Sequence, residues 1–232
     1  MAESRLLREI NDFCSKHSGL LLEEKEEVYK LYGEYTYSLE YHGLLYENTR
    51  EIELLIPKAF PSLIIELYIK EVPSGFEHIY PNGSVCLATL GEILEYLIGN
   101  PTVSSFVNQF VNPFFFTLEY FEEYGTFPFG ERDHGAKGLL SYYKERYNLD
   151  IEHIIDMAKI VWKGNYRGHH LCFCGSGKKL RDCHGFLVLN ILSNKAMLNY
   201  FNQEMACIIQ EETDYWKKQE HHNMRHLLSQ KN

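Results

Sequence analysis

Residues 56–93 read IPKAFPSLIIELYIKEVPSGFEHIYPNGSVCLATLGEI, and this stretch decides how the first part of the chain is interpreted. An apolar run ends in a turn marked by Pro57 and Pro61, and strand-forming residues follow at 62–69. Beyond residue 71, Gly, Pro, Asn and Ser are frequent, which is typical of an irregular loop. Cys86 lies in that loop.

The residues upstream complete a simple α+β pattern. Segments 35–42, 51–57 and 62–69 are rich in aromatic and β-branched residues, and their short spacing predicts a three-stranded antiparallel meander. Apolar residues recur at helical spacing over 3–17, which predicts an amphipathic helix before the meander. The charged run at 23–27 is interpreted as a solvated face.

The residues downstream are predominantly helical. Phenylalanines recur every three or four residues from 106 to 121, which predicts a buried helix with a kink at Pro113. A second loop is expected over 125–138, followed by a helix that Asp150 caps. Two further helices are predicted, one over 186–201 and one over 204–219.

Composition limits the possible partners. The formal charge of −9, from 32 acidic and 23 basic residues, opposes binding to a phosphate backbone, so we expect no nucleic acid as direct ligand. The sequence has no apolar run of roughly 20 residues and its first residues do not resemble a signal peptide. We therefore expect a cytoplasmic protein without a membrane partner. In a reducing cytosol its six cysteines are expected to be metal ligands, nucleophiles or core residues.

Three of these cysteines form a close cluster with a histidine. The segment CFCGSGKKLRDCH at 172–184 places two potential ligands at each end of a glycine-containing turn. Thiolate and imidazole ligands in this number suit a tetrahedral Zn²⁺ site. The segment closely resembles the SEC-C motif, with potential ligands Cys172, Cys174, Cys183 and His184. Four ligands without an open position predict structural zinc rather than catalytic zinc.

Other interpretations of the cluster remain open. His169 or His170 is an alternative to His184 as the fourth ligand, and the thiols are alternatively free. Lys178, Lys179 and Arg181 either form a docking surface for a protein or only offset thiolate charge.

A second resemblance covers roughly residues 3–160. The order of a helix, a meander, the turn IPKAFP at 56–61 and the loop sequence GSVCL at 83–87 resembles the ubiquitin-conjugating (UBC) fold. In that family the loop cysteine carries the C-terminus of another protein as a thioester. The resemblance therefore implies that Cys86 is the nucleophile. A thiolate suits this role because it is both a good nucleophile and a good leaving group. Burial as a core residue is the alternative for Cys86.

One departure from the family leaves a role unassigned. The family's His-Pro-Asn tripeptide is absent, and His78 stands eight residues before Cys86 instead. His78 either organises the loop, acts as a base toward an incoming amine, or caps a turn. His134, in GERDHG at 130–135, either flanks the thiol or lies in a solvated loop. With these features the chain resembles bacterial homologues more than eukaryotic ones, such as those found beside cGAS-like nucleotidyltransferases in CBASS antiphage operons.

We therefore expect a UBC-like domain at 1–164 and a zinc-stapled helical extension at 165–232. The expected function is acyl transfer from the C-terminus of a protein donor, implied by the resemblance to be a cGAS-like nucleotidyltransferase, through Cys86 to an acceptor. One alternative is a non-catalytic UBC-fold module that recruits a partner through the zinc extension. Another makes the zinc segment itself the main functional part, recruiting a carrier or a ribosome-associated partner. Cys14 and Cys207, on apolar helix faces, are interpreted as core residues.

Overall fold

The chain divides into two compact units, residues 1–131 and 132–232. The computed structural model describes residues 4–129 and 135–229, without the side chains of 212 and 214–229. The domain boundary that the sequence suggests, after residue 164, lies inside the second unit. The assignment of 1–164 as one functional domain stays a prediction.

The first unit is built on an antiparallel sheet in the order β1-β2-β3-β4. Its strands are β1 (Leu20–Glu24), β2 (Val28–Tyr41), β3 (Leu44–Pro57) and β4 (Glu66–Ile69). Helix α1 (Arg5–Lys16) precedes the sheet, and the Ser4 side chain caps its first turn. Ile10 and Phe13 are the buried residues of α1, so its apolar stripe faces the core as the spacing predicts.

The mixed α+β class and the meander agree with the sequence interpretation, but the strand set differs. The predicted strand at 35–42 is the second half of β2, which begins at Val28 and pairs with β3 over its whole length. The sequence interpretation missed β1, whose last two residues belong to the charged run at 23–27. That run is nevertheless exposed, as expected.

The helices after the loop pack their aromatic residues into the core. Helix α2 (Leu90–Gly99) and helix α3 (Val103–Phe106) lead into a π-helical segment (Val107–Val111) and helix α4 (Asn112–Tyr124). Pro113 has no N–H and its ring crowds the carbonyl four residues earlier. The wider π turn accommodates Pro113 at the start of α4, where the sequence predicts a kink. Fully buried core residues of this unit include Ile10, Leu31, Leu54, Ile56, Leu67, Phe106, Phe115 and Leu118.

A charged network joins α4 to the sheet. Arg50 on β3 contacts Glu119 at 2.8 Å and Glu122 at 2.5 Å, and Asn48 donates to Glu119 at 2.9 Å. The side chains of Arg50 and Glu119 are only 15% and 12% exposed, so removing one partner would leave a buried charge. This network fixes α4 against β3.

The second unit is a helical assembly around the cysteine cluster. It contains α5 (Gly135–Tyr147), α6 (Ile151–Trp162), a 3-10 turn (Leu180–Asp182), α7 (Gly185–Ser193) and α8 (Lys195–Ser229). Asp150 precedes α6 as predicted, and its N–H donates to His153 Nδ1 at 3.3 Å. Buried residues of this unit include Tyr143, Leu149, Ile154, Met157, Val188, Ile191, Phe201, Met205 and Ile208.

Three predictions for this unit are wrong. Residues 135–138 belong to α5 and not to the loop that was expected to reach residue 138. The break between the last two helices lies at Asn194, because its Oδ1 accepts from the N–H groups of Ala196 (2.9 Å) and Met197 (3.3 Å) and caps α8. Cys207 is exposed rather than in the core, whereas Cys14 packs partly buried against the core of the first unit.

Within the described residues, no helix has both the length and the apolar character that crossing a membrane requires.

Candidate functional site

Cys86 is held by a short antiparallel pairing within the loop after β4. Ile79 and Val85 form an isolated bridge, flanked by hydrogen bonds from Cys86 N to His78 O (2.9 Å) and from Tyr80 N to Ser84 O (2.8 Å). The loop is therefore not irregular at this point. Its backbone places Cys86 directly across from His78.

The turn that closes this pairing is determined by its sequence. Gly83 adopts a φ of +86°, which strains residues with a side chain, and the Asn82 side chain accepts from Ser84 N at 3.1 Å. Val85 N donates to Leu67 O at 2.8 Å, and the Val85 side chain is 5% exposed. The pairing is thus anchored to β4 and fixes the residue that follows Val85.

The side chains of His78, Tyr80 and Cys86 lie on the face opposite to Ile79 and Val85, because side chains alternate along paired strands. The His78 ring contacts Phe76 and Phe127, with centroid distances of 5.4 and 5.2 Å. Cys86 is partly buried, neither enclosed by the core nor fully exposed. The partly buried thiol of Cys86 therefore lies in a region where His78 packs against two phenylalanine rings.

The ionisation of Cys86 is controlled by two opposing effects. Burial raises the pKa of the Cys86 thiol, and a hydrogen bond with the Tyr80 side chain lowers it, with burial the larger effect. Burial and the same hydrogen bond both raise the pKa of Tyr80, so its hydroxyl remains protonated at neutral pH. A protonated phenol donates to sulfur. Tyr80 is thus placed to stabilise negative charge that develops on Cys86.

The sequence analysis did not single out Tyr80. The signal was available in the turn PNGS at 81–84, since an Asn-Gly turn between strand-forming residues indicates a hairpin. Such a pairing brings residue 80 near residue 86. The other predicted helper residue, His134, lies outside the described residues together with Glu131 and Asp133.

The four predicted metal ligands come together in the second unit. Their ligand atoms all lie within 4.8 Å of one another. His184 Nδ1 is 3.4 Å from both Cys172 Sγ and Cys183 Sγ, and Cys174 Sγ is 3.6 Å from Cys183 Sγ. A tetrahedron with metal–sulfur bonds of about 2.3 Å and a metal–nitrogen bond of about 2.0 Å has edges of roughly 3.5 to 3.8 Å. The donor set and spacing therefore fit a four-coordinate metal.

A compact hairpin positions these ligands. Leu171 bridges Lys179, and Cys172 N donates to Lys178 O at 2.8 Å. Gly175 and Gly177 take positive φ values of 72° and 74°, which reverse the chain between the two ligand pairs. The 3-10 turn then brings Cys183 and His184 back to the first pair.

The imidazole of His184 has its second nitrogen fixed. Nε2 donates to the carbonyl oxygen of Tyr147, the last residue of α5, at 2.9 Å. Nδ1 consequently carries the lone pair and faces the sulfurs. Carbonyl partners of this kind orient histidine ligands in metal sites.

The cysteines of the cluster differ in how readily they ionise. Burial raises the pKa of Cys172 to about 11. Burial also opposes ionisation of Cys174, but hydrogen bonds from the side chain and backbone of Ser176 lower its pKa to about 6. Because metals bind thiolates, the lowered pKa of Cys174 favours metal binding at this position.

The alternative histidines do not join the cluster. Among the described residues, the group of possible metal ligands comprises the three cysteines and His184. His169 and His170 instead contact each other edge to face, at a centroid distance of 4.6 Å. His184 therefore lies with the three cysteines, and its role as a metal ligand stays a prediction.

Comparison with known proteins supports this part of the chain. Residues 171–186 match the SEC-C motif, which covers the whole hairpin and its four ligands. No curated protein matches the chain. The sequence and the geometry together identify a candidate metal-binding site of the SEC-C type.

Proposed function

We propose that this chain is a ubiquitin-conjugating-like acyl carrier. The Cys86 sulfur attacks the activated C-terminal carbonyl of a donor protein, the activating group leaves, and a thioester forms. An acceptor amine then attacks the thioester and Cys86 leaves as a thiolate. The observation that carries the proposal is the half-open thiol of Cys86, anchored next to β4 with Tyr80 at its sulfur.

The surroundings of Cys86 suit a carrier better than a protease-like nucleophile. Because burial raises the pKa of its thiol, Cys86 is largely protonated at neutral pH. A resting thiol of this kind reacts more slowly with oxidants and alkylating agents than a thiol of low pKa does. It needs an activated acyl donor and removal of its proton before it reacts. Tyr80 supplies a hydrogen bond to the departing thiolate in the second step.

The donor is proposed from the resemblance described above. We infer a cGAS-like nucleotidyltransferase whose C-terminus is conjugated during bacterial antiphage defence, in the cytoplasm. The chain has no Gly-rich nucleotide-binding loop of its own, so a separate protein is expected to activate that C-terminus.

The metal of the second unit is proposed to be zinc with a structural role. Three thiolates and one imidazole are the ligands that Zn²⁺ prefers in tetrahedral sites. All four positions are occupied by protein ligands in this arrangement, which leaves no position for a substrate. The ion would hold the hairpin onto α5 through His184.

The second candidate function is a UBC-fold binding module without catalysis. The absence of the His-Pro-Asn tripeptide favours it, since a binding module needs no group to assist the transfer. The two functions differ in a simple measurement. A carrier has a Cys86 thiol that a maleimide modifies in the folded protein, whereas a module whose thiol is permanently shielded does not react until it unfolds.

The decisive experiment is mass spectrometry of the full chain expressed together with its neighbouring genes. Wild-type protein is expected to carry a donor that a thiol reductant releases. Cys86→Ser is expected to carry the same donor as an ester that resists thiols and yields to hydroxide. Cys207→Ser is the matched control, because Cys207 is exposed and lies in the other unit. Adducts that persist in Cys86→Ala would overturn the proposal.

A further inference from the structure

A cleft in the second unit lies outside both sites. It has a volume of about 220 Å³ and lies between the last turn of α6 and the segment that leads into the metal hairpin. Its lining residues are Lys159, Ile160, Lys163, Asn165, Arg167, His170, Leu171 and Leu180. Four of these carry or accept positive charge, and none is acidic, in a chain of net charge −9.

The cations differ in whether they are already neutralised. Lys159 pairs with Asp156 at 2.7 Å. Among the described residues, no carboxylate lies within ion-pair distance of Lys163 or Arg167. Within the part of the chain that the structure describes, the Arg167 guanidinium donates through Nε alone, to Asn165 Oδ1 at 3.0 Å. This bond orients the guanidinium and leaves its terminal nitrogens for another acceptor.

The negative end of α6 lies near these charges but is partly engaged within the chain. Val161 O accepts from Gly164 N (2.9 Å) and Ile160 O accepts from Asn165 N (3.2 Å). Satisfied carbonyls weaken the negative end of a helix, which comes largely from unpaired groups. The cationic side chains of the cleft are therefore opposed only by a weakened helix end.

The walls of the cleft are held in place before any ligand arrives. Leu180 N donates to His170 O at 2.8 Å, and His170 N donates to Arg167 O at 3.0 Å. Leu180 is 2% exposed and forms the apolar floor with Ile160, whereas Leu171 is 72% exposed and lies at the rim of the cleft. A fixed apolar floor with a cationic rim fits a ligand that has an anionic head and a small apolar body.

We propose that this cleft binds a small phosphate monoester. The phosphate lies against Lys163 and Arg167, with His170 beside it, and the organic part lies on Ile160, Leu171 and Leu180. A phosphate monoester carries about −1.5 to −2 charges at neutral pH, which matches the two cations Lys163 and Arg167 better than one carboxylate does. Arginine also matches phosphate geometry with two parallel hydrogen bonds. The volume suits a small metabolite and is below the roughly 300 Å³ of typical drug-sized sites.

The test uses the full-length, metal-loaded chain and phenyl phosphate as the probe. Saturable binding is expected, with chemical-shift changes in the amide signals of residues 159–171. Inorganic phosphate and benzoate are measured in parallel, and both are expected to bind more weakly. Binding should weaken as salt rises, since exposed cations are screened.

Variants separate the site from unspecific attraction. Lys163→Met and Arg167→Met are each expected to weaken phenyl phosphate binding about tenfold, the usual effect of one lost charge-assisted hydrogen bond. Lys195→Met is the matched control, because Lys195 is exposed in the same unit and does not line the cleft. Metal content and melting temperature are compared first, to show that each variant is folded.

Several results would overturn the proposal. The first is that phenyl phosphate does not bind at about 10 mM. The second is that Lys163→Met and Lys195→Met change the affinity for phenyl phosphate equally. The third is that benzoate binds as tightly as phenyl phosphate. Inorganic phosphate binding as tightly as the ester would remove the role of the apolar floor and overturn the monoester assignment. Cys86→Ser should bind the probe normally, so a failed acyl-carrier hypothesis leaves this result unchanged.

Discussion

The hydroxyl of Tyr80 hydrogen-bonds with the sulfur of Cys86, six residues further along the chain. The short pairing of Ile79 with Val85 makes this contact possible, because it places both side chains on the same face of the loop. The backbone pairing thus brings together a phenol that stays protonated and a thiol that must ionise.

The first prediction concerns this hydrogen bond. In Tyr80→Phe, the pKa of Cys86 is expected to rise further, because the hydrogen bond lowers it and burial remains. Alkylation of Cys86 by iodoacetamide, followed by peptide mass spectrometry from pH 6 to 10, should show a midpoint at higher pH than in wild type. Cys207 in the same samples serves as an internal control. An unchanged or lower midpoint at Cys86 would show that the phenol does not stabilise the thiolate.

The second prediction concerns His78, which faces the aromatic wall of Phe76 and Phe127. If it assists proton transfer, His78→Ala should slow discharge of the acyl group by about 100-fold to 10,000-fold and leave loading of Cys86 unchanged. Single-turnover discharge, loading and melting temperature are measured separately. His134→Ala is measured in parallel.

A packing role for His78 has a different signature. Loss of its ring contacts would lower stability by about 1 kcal/mol and reduce loading and discharge together. If His78→Ala discharges the acyl group normally and His134→Ala discharges it slowly, the assisting role would be assigned to the segment 130–135.

The third prediction concerns the metal. One zinc ion per chain is expected, and chelation should unfold the second unit before the first, because metal binding at such sites contributes to folding free energy. Metal analysis and circular dichroism during titration with a chelator follow both events. The double variant Cys172→Ser, Cys183→Ser should contain no zinc.

A variant of the fourth ligand provides the control. His184→Cys keeps four ligands but removes the hydrogen bond to Tyr147 O, so it should retain zinc and unfold at a lower temperature. Zinc that remains at wild-type stoichiometry in the double cysteine variant would show that the ion binds elsewhere.

The fourth prediction concerns Gly185, the first residue of α7. A Cβ there would lie 2.6 Å from both the carbonyl oxygen of Leu180 and the hydroxyl of Tyr166. Gly185→Ala should therefore destabilise the second unit by about 1 to 3 kcal/mol and weaken zinc retention. Gly99→Ala, where no atom lies within 4 Å of the added Cβ, is the control and should be close to neutral. Urea denaturation of both variants gives the comparison.

The elements that the sequence predicted well are those whose pattern is local. Helix α1 and the cap of α6 follow from spacing and from Asp150, and the metal ligands follow from their own cluster. Strand β1 was missed because three consecutive leucines at 20–22 hide the alternation that only pairing with β2 reveals.

The other errors arise where tertiary packing decides. Helix α5 starts at Gly135 and contains Gly138, both poor helix formers, and is stabilised by the burial of Ala136, Tyr143 and Tyr147. Cys207 was placed in the core from its apolar neighbours, but the buried stripe of α8 runs through Phe201, Met205 and Ile208, and Cys207 lies beside it. The contact of Tyr80 with Cys86 was missed for another reason, because the Asn-Gly turn at 82–83 was interpreted as part of an irregular loop and not as a hairpin.

His184 also has a consequence for spectroscopy. One imidazole faces the cysteine sulfurs through Nδ1, reaches the end of α5 through Nε2, and stands immediately before α7. If Co²⁺ is bound at this site, its visible absorption is expected to report the position of His184, since the absorption of tetrahedral cobalt responds to the geometry of each ligand. A displacement of either helix would appear as a change in colour, measurable in solution without a label on any partner protein.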